Sequence, residues 1–191
     1  MNTRLMLPLV LSAALLGCTL RPSLAPKQYV DETTGSSVFV SAAPLEFARS
    51  RPDVAAHARD YATVVAVATD DAGTYTEYLL LYRWSTVDER MAALPDAAAG
   101  ELRIECDGRV IDLAPIDPLP RKLLPRPELL QPEHAHAVVR AYRTDWATLR
   151  YLVASRTLLV RMPQETLDTP FGLWRDGRGA LAEFVQVHPG Q

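Results

Sequence analysis

The chain has 191 residues, a formal net charge of −3, 23% charged and 48% hydrophobic residues. That length is one domain's worth and is enough to bury a core. A mildly acidic chain without a basic stripe is not built to hold nucleic acid, and two cysteines, Cys18 and Cys106, are too few for a disulfide scaffold.

In chain order, Met1 to Arg4 carries one positive charge, Leu5 to Leu16 is an apolar run broken by Pro8 and Ser12, and Gly17-Cys18 closes it. A charged start, an apolar stretch of about 7–15 residues and a small-residue exit describe an export signal. The run falls short of the roughly 20 apolar residues that span a bilayer. Its last residues, Leu15-Leu16-Gly17-Cys18, resemble the bacterial lipobox: a branched apolar residue at −3, a small one at −1 and Cys at +1. The resemblance implies that residues 1–17 are a lipoprotein signal peptide and that Cys18 is the lipidation site. Its thiol would receive a diacylglycerol thioether, and its amino group would be acylated after cleavage. Two or more acyl chains hold a protein stably, at about 0.8 kcal/mol per buried methylene. Thr19 rather than Asp follows Cys18, which implies sorting to the outer membrane, lipid-anchored and facing the periplasm. Ser23-Leu24-Ala25 is the competing, ordinary cleavage site, and it lies beyond the end of the apolar run. With Cys18 lipidated, Cys106 has no disulfide partner and is expected to be a small buried hydrophobe.

Residues 18–28, with Pro22 and Pro26, read as the lipidated N-terminus and tether; ten extended residues reach at most about 35 Å. Residues 29–191 read as a single globular domain. Ser36 to Ala42 looks like its first strand. Ala43 to Ala58, with Pro44, Pro52, Arg49 and Arg51, looks like a loop with a short helical turn. Tyr61 to Thr69 is a Val- and Thr-rich strand. Asp70-Asp71-Ala72-Gly73 is turn chemistry. Thr74 to Trp84 is a strand that Leu79-Leu80-Leu81 marks as buried on both faces. Thr86 to Ala99 reads as a short helix or irregular crossing.

Glu101 to Leu113 reads as a hairpin on the turn dipeptide Asp107-Gly108. That turn sets Cys106 opposite Arg109, Ile104 opposite Ile111 and Leu102 opposite Leu113, and pairs Arg103 with Asp112 on the other face. Residues 114–132 hold six prolines (Pro115, Pro118, Pro120, Pro125, Pro127 and Pro132), which exclude a helix or central strand and predict a long extended loop. Glu133 to Thr144 alternates as a strand. Asp145 is a helix N-cap followed by Trp146, Leu149, Leu152 and Val153 at helical spacing. Arg156 to Met162 is a strand, Phe171 to Arg175 leads into a turn at Asp176-Gly177-Arg178-Gly179, and Ala180, Leu181, Phe184 and Val185 recur as a terminal helix. The sum is an α+β domain: a mainly antiparallel β-sheet or sandwich of about seven short strands with two or three short helices. Strands and helices do not alternate, which disfavours a doubly wound parallel fold.

His134 and His136 share one strand face, but a zinc site needs a third ligand, and nothing in the sequence brings His57, His188 or a carboxylate to them. Asp70-Asp71 lacks the alternating pattern of a calcium loop. Ser36, Ser37, Ser41, Ser85 and Ser155 stand outside any nucleophile elbow, and Gly177-Arg178-Gly179 lacks the rest of a phosphate loop. No catalytic residue, metal or cofactor is assigned. Tyr78, Tyr82 and Trp84 share a face with Leu80 and are expected to pack in the sheet rather than to present a stacking surface with Tyr75.

Tyr29-Val30-Asp31-Glu32-Thr33-Thr34-Gly35, His57-Ala58-Arg59-Asp60-Tyr61, the Leu79 to Trp84 strand and Trp174-Arg175-Asp176-Gly177-Arg178 resemble uncharacterised outer-membrane lipoproteins of high-GC Proteobacteria. The resemblance implies a location and no activity. The expected function is a non-enzymatic envelope accessory or binding domain, held to the membrane by the lipid on Cys18 and serving an envelope protein partner. The alternatives are an envelope hydrolase that joins His134 or His136 to a carboxylate, and a small-molecule carrier.

Overall fold

The computed structural model describes residues 23–32, 34–87, 100–120, 123, 138–162 and 169–187. Eleven strands form one sheet: β1 (Lys27–Val30), β2 (Ser37–Val40), β3 (Leu45–Ser50), β4 (Arg59–Asp71), β5 (Thr74–Ser85), β6 (Leu102–Cys106), β7 (Arg109–Leu113), β8 (Pro115–Ile116), β9 (Val138–Thr144), β10 (Leu158–Arg161) and β11 (Phe171–Arg175). Two helices, α1 (Trp146–Ala154) and α2 (Arg178–Val187), complete the described residues. The mainly antiparallel α+β class is what the residue pattern implies. The strand count is larger than about seven, β4 and β5 are long rather than short, and the sheet curls on itself instead of splitting into a sandwich.

The curling follows from connectivity. Neighbours run in the order β7-β6-β10-β11-β3-β4-β5-β9-β8. Strands β7 and β8 stand at opposite ends of that path, yet only Ala114 separates them in the chain. Leu113 pairs with Leu102 of β6 and Pro115 with Tyr142 of β9. Two residues span no more than about 7 Å, so the ends of the sheet must meet and the sheet becomes a nearly closed barrel. Strands β2 and β3 likewise share one edge of β4 in tandem: β3 pairs with residues 59–64 and β2 with 67–70. On their far side β2 carries β1 and β3 carries β11.

Alternation places one set of side chains inside. Leu45, Phe47, Ala62, Val64, Leu79, Leu81, Leu102, Ile104, Leu158, Val160 and Phe171 form the inner core together with Leu149 and Leu152 of α1 and Leu181, Phe184 and Val185 of α2. Helix α1 starts at the end of β9 and returns the chain to the start of β10, so the two helices plug that end of the barrel. Asp145 caps α1 by accepting from the Thr148 amide at 2.6 Å, as the N-cap pattern implies. A second core lies on the outer face: Val38, Val40, Val67, Tyr78, Leu80, Tyr82 and Ala141, covered by Ile116, Leu119 and Leu123. Strand β5 is therefore buried on both faces, as Leu79-Leu80-Leu81 implies. The described part of the proline-rich segment is a strap over this face, and Pro115 opens a two-residue strand where proline is tolerated.

Both hairpins form on their expected turns. Asp107 and Gly108 take positive φ, as do Ala72 and Gly73, and each two-residue turn matches the twist of its strands. The register of β6 and β7 is Leu102–Leu113, Ile104–Ile111 and Cys106–Arg109, with Arg103 bonded to Asp112 at 2.6 Å. Residues 43–58, expected to be a loop with a short helical turn, hold β3 first, and the turn follows it, with the Val54 and Ala55 amides both donating to the Arg51 carbonyl at 3.0 and 3.3 Å. Lys27 and Gln28, expected in the tether, lie in β1. Arg178 and Gly179 open α2, so the turn is shorter. The helix expected within 86–99 and the segment 133–137 lie outside the described residues, apart from Thr86 and Val87.

Candidate functional site

At the barrel end opposite the helices, strands β3, β4, β5 and β9 turn charged side chains inward. The alternation that points Phe47, Ala62 and Leu81 into the core continues to Arg49, Asp60, Arg83 and Arg140. Arg49 faces Asp60 across the β3–β4 ladder, and its Nη2 donates to Asp60 Oδ2 at 3.1 Å. Arg51 donates to the same oxygen at 2.8 Å and grips Asp53 with Nε at 2.9 Å and Nη2 at 2.6 Å. Arg49, Arg51 and Asp60 are buried, whereas the Asp53 side chain is half exposed. The Arg49 guanidinium also lies 4.2 Å from the centre of the Phe171 ring and reaches the Thr169 carbonyl at 3.5 Å.

Burial pulls Arg49 below the ordinary guanidinium range, and its hydrogen bond to Asp60 works against that shift. The bidentate bond to Asp53 raises Arg51. Guanidinium groups hold their protons at any working pH, so the cluster stores charge and moves no proton. Its role is to lock the ends of β3 and β4: a buried carboxylate stripped of its partners leaves charge uncompensated at about 3–5 kcal/mol. Nearby, the Tyr142 hydroxyl donates to the Gly100 carbonyl at 3.4 Å, and burial raises its pKa.

The outer surface carries a second cluster, built from β4, β5 and β11. Tyr61 and Trp84, directly opposed across β4 and β5, stack at 3.9 Å with 7° between their planes. Trp174 meets Tyr61 edge-on at 6.5 Å, and the Arg59 guanidinium sits 4.4 Å from the Trp174 ring centre. Trp174 is 53% exposed. Tyr78, Leu80 and Tyr82 are buried in the sheet as expected, while Trp84 is half-buried at the margin.

Of the other candidate residues, His57 is exposed in the turn between β3 and β4, and the rest that are described have structural roles. Cys106 is free and buried, and burial raises its thiol pKa, which keeps it protonated and a poor nucleophile. Ser36 donates to Asp71, Ser85 to the Arg59 carbonyl at 3.2 Å, and Ser155 to the Tyr151 carbonyl at 2.7 Å. Asp70 accepts from the Gly73 amide at 2.6 Å, the turn role its sequence implies. Among the described residues no group of three metal-ligating side chains converges. Cys18, His134, His136 and His188 lie outside them.

Neither ion cluster nor aromatic cluster was legible beforehand, because each depends on strand register. Arg49–Asp60 and Tyr61–Trp84 are cross-strand partners, and Trp174 joins them from a distant strand. No family model matches the chain, and no curated protein or solved structure matches it.

Proposed function

We propose that the chain is a lipid-anchored lipoprotein of the bacterial outer membrane whose barrel is a non-enzymatic accessory domain for an envelope protein partner. The observation that carries it is Leu15-Leu16-Gly17-Cys18 at the end of a charged-then-apolar leader. The carboxylates Asp60, Asp107, Asp145 and Asp176 each hold an ion pair, a turn or a cap, which suits a binding scaffold.

The test has two readouts on cells expressing the wild-type chain and Cys18→Ala. Mass spectrometry of the wild-type N-terminal peptide should find acyl groups on Cys18, and the variant should leave the membrane fraction. Crosslinking in intact cells should capture one discrete envelope protein with the wild type and none with the variant. An unacylated Cys18 overturns the anchor; acylation without any specific capture overturns the accessory role.

A further inference from the structure

We propose that the outer surface around Trp174 binds a neutral glycan chain, with one sugar ring laid against the indole above Gly172. The proposal is independent of the acylation of Cys18. It begins with strand register. Cross-strand partners place Trp84, Tyr61, Ala48, Gly172 and Leu159 in one row across β5, β4, β3, β11 and β10. The row lies on the outer face, because the residues alternating with it, such as Ala62, Phe47 and Phe171, fill the inner core. Ala48 and Gly172, the two smallest side chains, are neighbours in the middle, so the surface dips between Tyr61 and Leu159. The dip is open: a Cβ on Gly172 would meet no atom within 4 Å.

A β-bulge sets an aromatic ring at the edge of this dip. Leu173 pairs with Phe47 and Arg175 with Glu46, so Trp174 is an extra residue in β11. Bulges re-aim side chains, and this one lets Trp174 and Arg175 both face outward. The indole leans across β3 towards β4, where Tyr61 meets it edge-on and the Arg59 guanidinium covers one side of the ring. It thus leans away from Leu159 and leaves Gly172 uncovered. With Arg59 on one side, the 53% exposure of Trp174 belongs to the other side and the rim. Tyr61, stacked on Trp84, is a fixed support for the indole.

The groups around the ring select the ligand. Glu46 and Arg175, bonded to each other at 2.9 Å, flank the row on one side, and Arg59 flanks it on the other. A carboxylate only accepts hydrogen bonds and a guanidinium only donates them. Sugar hydroxyls do both, and a pyranose ring also presents C–H groups that suit the apolar face of an indole. A hydrocarbon would use the ring alone and would desolvate these charges without pairing them. An anion would meet Glu46, and a cation would meet two guanidinium groups. A small molecule needs a pocket that encloses most of it, whereas a chain can lay one or two of its units on an open, shallow surface.

The experiment titrates the full chain, held in a detergent without sugar headgroups, with chitotetraose, cellotetraose and maltotetraose, and follows binding by calorimetry and tryptophan emission. At least one of the three should bind the wild type. Trp174→Ala removes the ring, and Gly172→Val fills the dip with a residue that suits a strand and whose Cβ has room. Each variant should weaken binding at least about tenfold. Circular dichroism and thermal denaturation matching the wild type confirm that both are folded, and Gly172→Val keeps the test open if Trp174→Ala is not. No binding of any of the three at about 10 mM, or binding that Gly172→Val retains in full, overturns the site. Capture of a protein by a photo-crosslinking residue at position 174, with no oligosaccharide bound, assigns the surface to a protein contact and overturns it equally. None of these outcomes touches the anchor, which stands or falls on the acylation of Cys18.

Discussion

A single methyl group separates two glycines that look alike in sequence. A Cβ on Gly177 would overlap the Pro44 carbonyl and stand 2.6 Å from its carbon, so the backbone between β2 and β3 would have to move. A Cβ on Gly179 would meet only Leu24 Cδ1, at 3.5 Å, an ordinary contact. Gly177→Ala is expected to cost about 1–3 kcal/mol, the range for forcing extra volume into a packed site. In a domain of this size that lowers Tm by several degrees, at about 2–4 °C per kcal/mol. Gly179→Ala, inside α2, is expected to be neutral or to gain up to about 1 kcal/mol from helix propensity. Thermal denaturation of the two variants checks both signs, and a harmless Gly177→Ala would show that the Pro44 backbone yields easily. The glycine pair was legible as a turn; the close approach was not, because Pro44 comes from the other end of the chain.

Among the elements, the β6–β7 hairpin shows how a local signal acquires a distant role. Asp107 sits in the turn with φ of 49°, and its carboxylate accepts from the Arg156 amide at 3.0 Å and from the Thr157 amide at 2.8 Å. It thereby fastens the hairpin to the link between α1 and β10. Those hydrogen bonds, the Thr157 amide first, hold the Asp107 carboxyl below its ordinary pKa. A folded-state pKa below the unfolded value contributes stability that is present above the unfolded value, about 3.9, and is lost as pH falls through the folded one. Asp107→Asn keeps a residue that tolerates positive φ and removes the charge. The wild type should exceed the variant in urea midpoint at pH 7, and the gap should narrow below about pH 4. A gap independent of pH would assign the stabilisation to turn geometry alone. Hairpins of this kind were readable because turn residues and alternation lie within a dozen positions of each other. Strand β3 was not, although Leu45 and Phe47 alternate correctly. Its third inward residue is Arg49, which reads as polar until the register brings Asp60 to it. Strand β1 follows Pro26 and offers little apolar content, and its existence depends on the edge that β2 presents.

At the scale of the whole molecule, closure of the barrel depends on one residue. Ala114 links a strand paired to β6 with a strand paired to β9, and no periodicity in the sequence announces that change of partner. The strap that follows, carrying Leu119 and the fully buried Leu123, is drawn over the outer face by the same step. If the link were an ordinary loop, one added residue would cost only the small entropy of a longer connection, well under about 0.6 kcal/mol. In a barrel whose registers are set on both sides, the added residue must bulge or shift β8 by one position, and a one-residue slip moves every side chain to the wrong face. Inserting a glycine between Ala114 and Pro115 is therefore expected to lower stability by more than about 1 kcal/mol, beyond the entropy of a longer loop. The same insertion beside the exposed Val54, in the turn between β3 and β4, should cost less. Urea midpoints of the two insertions decide the matter. Equal, small losses would mean that β7 and β8 are joined passively and that the inner and outer cores alone hold the sheet in its curl.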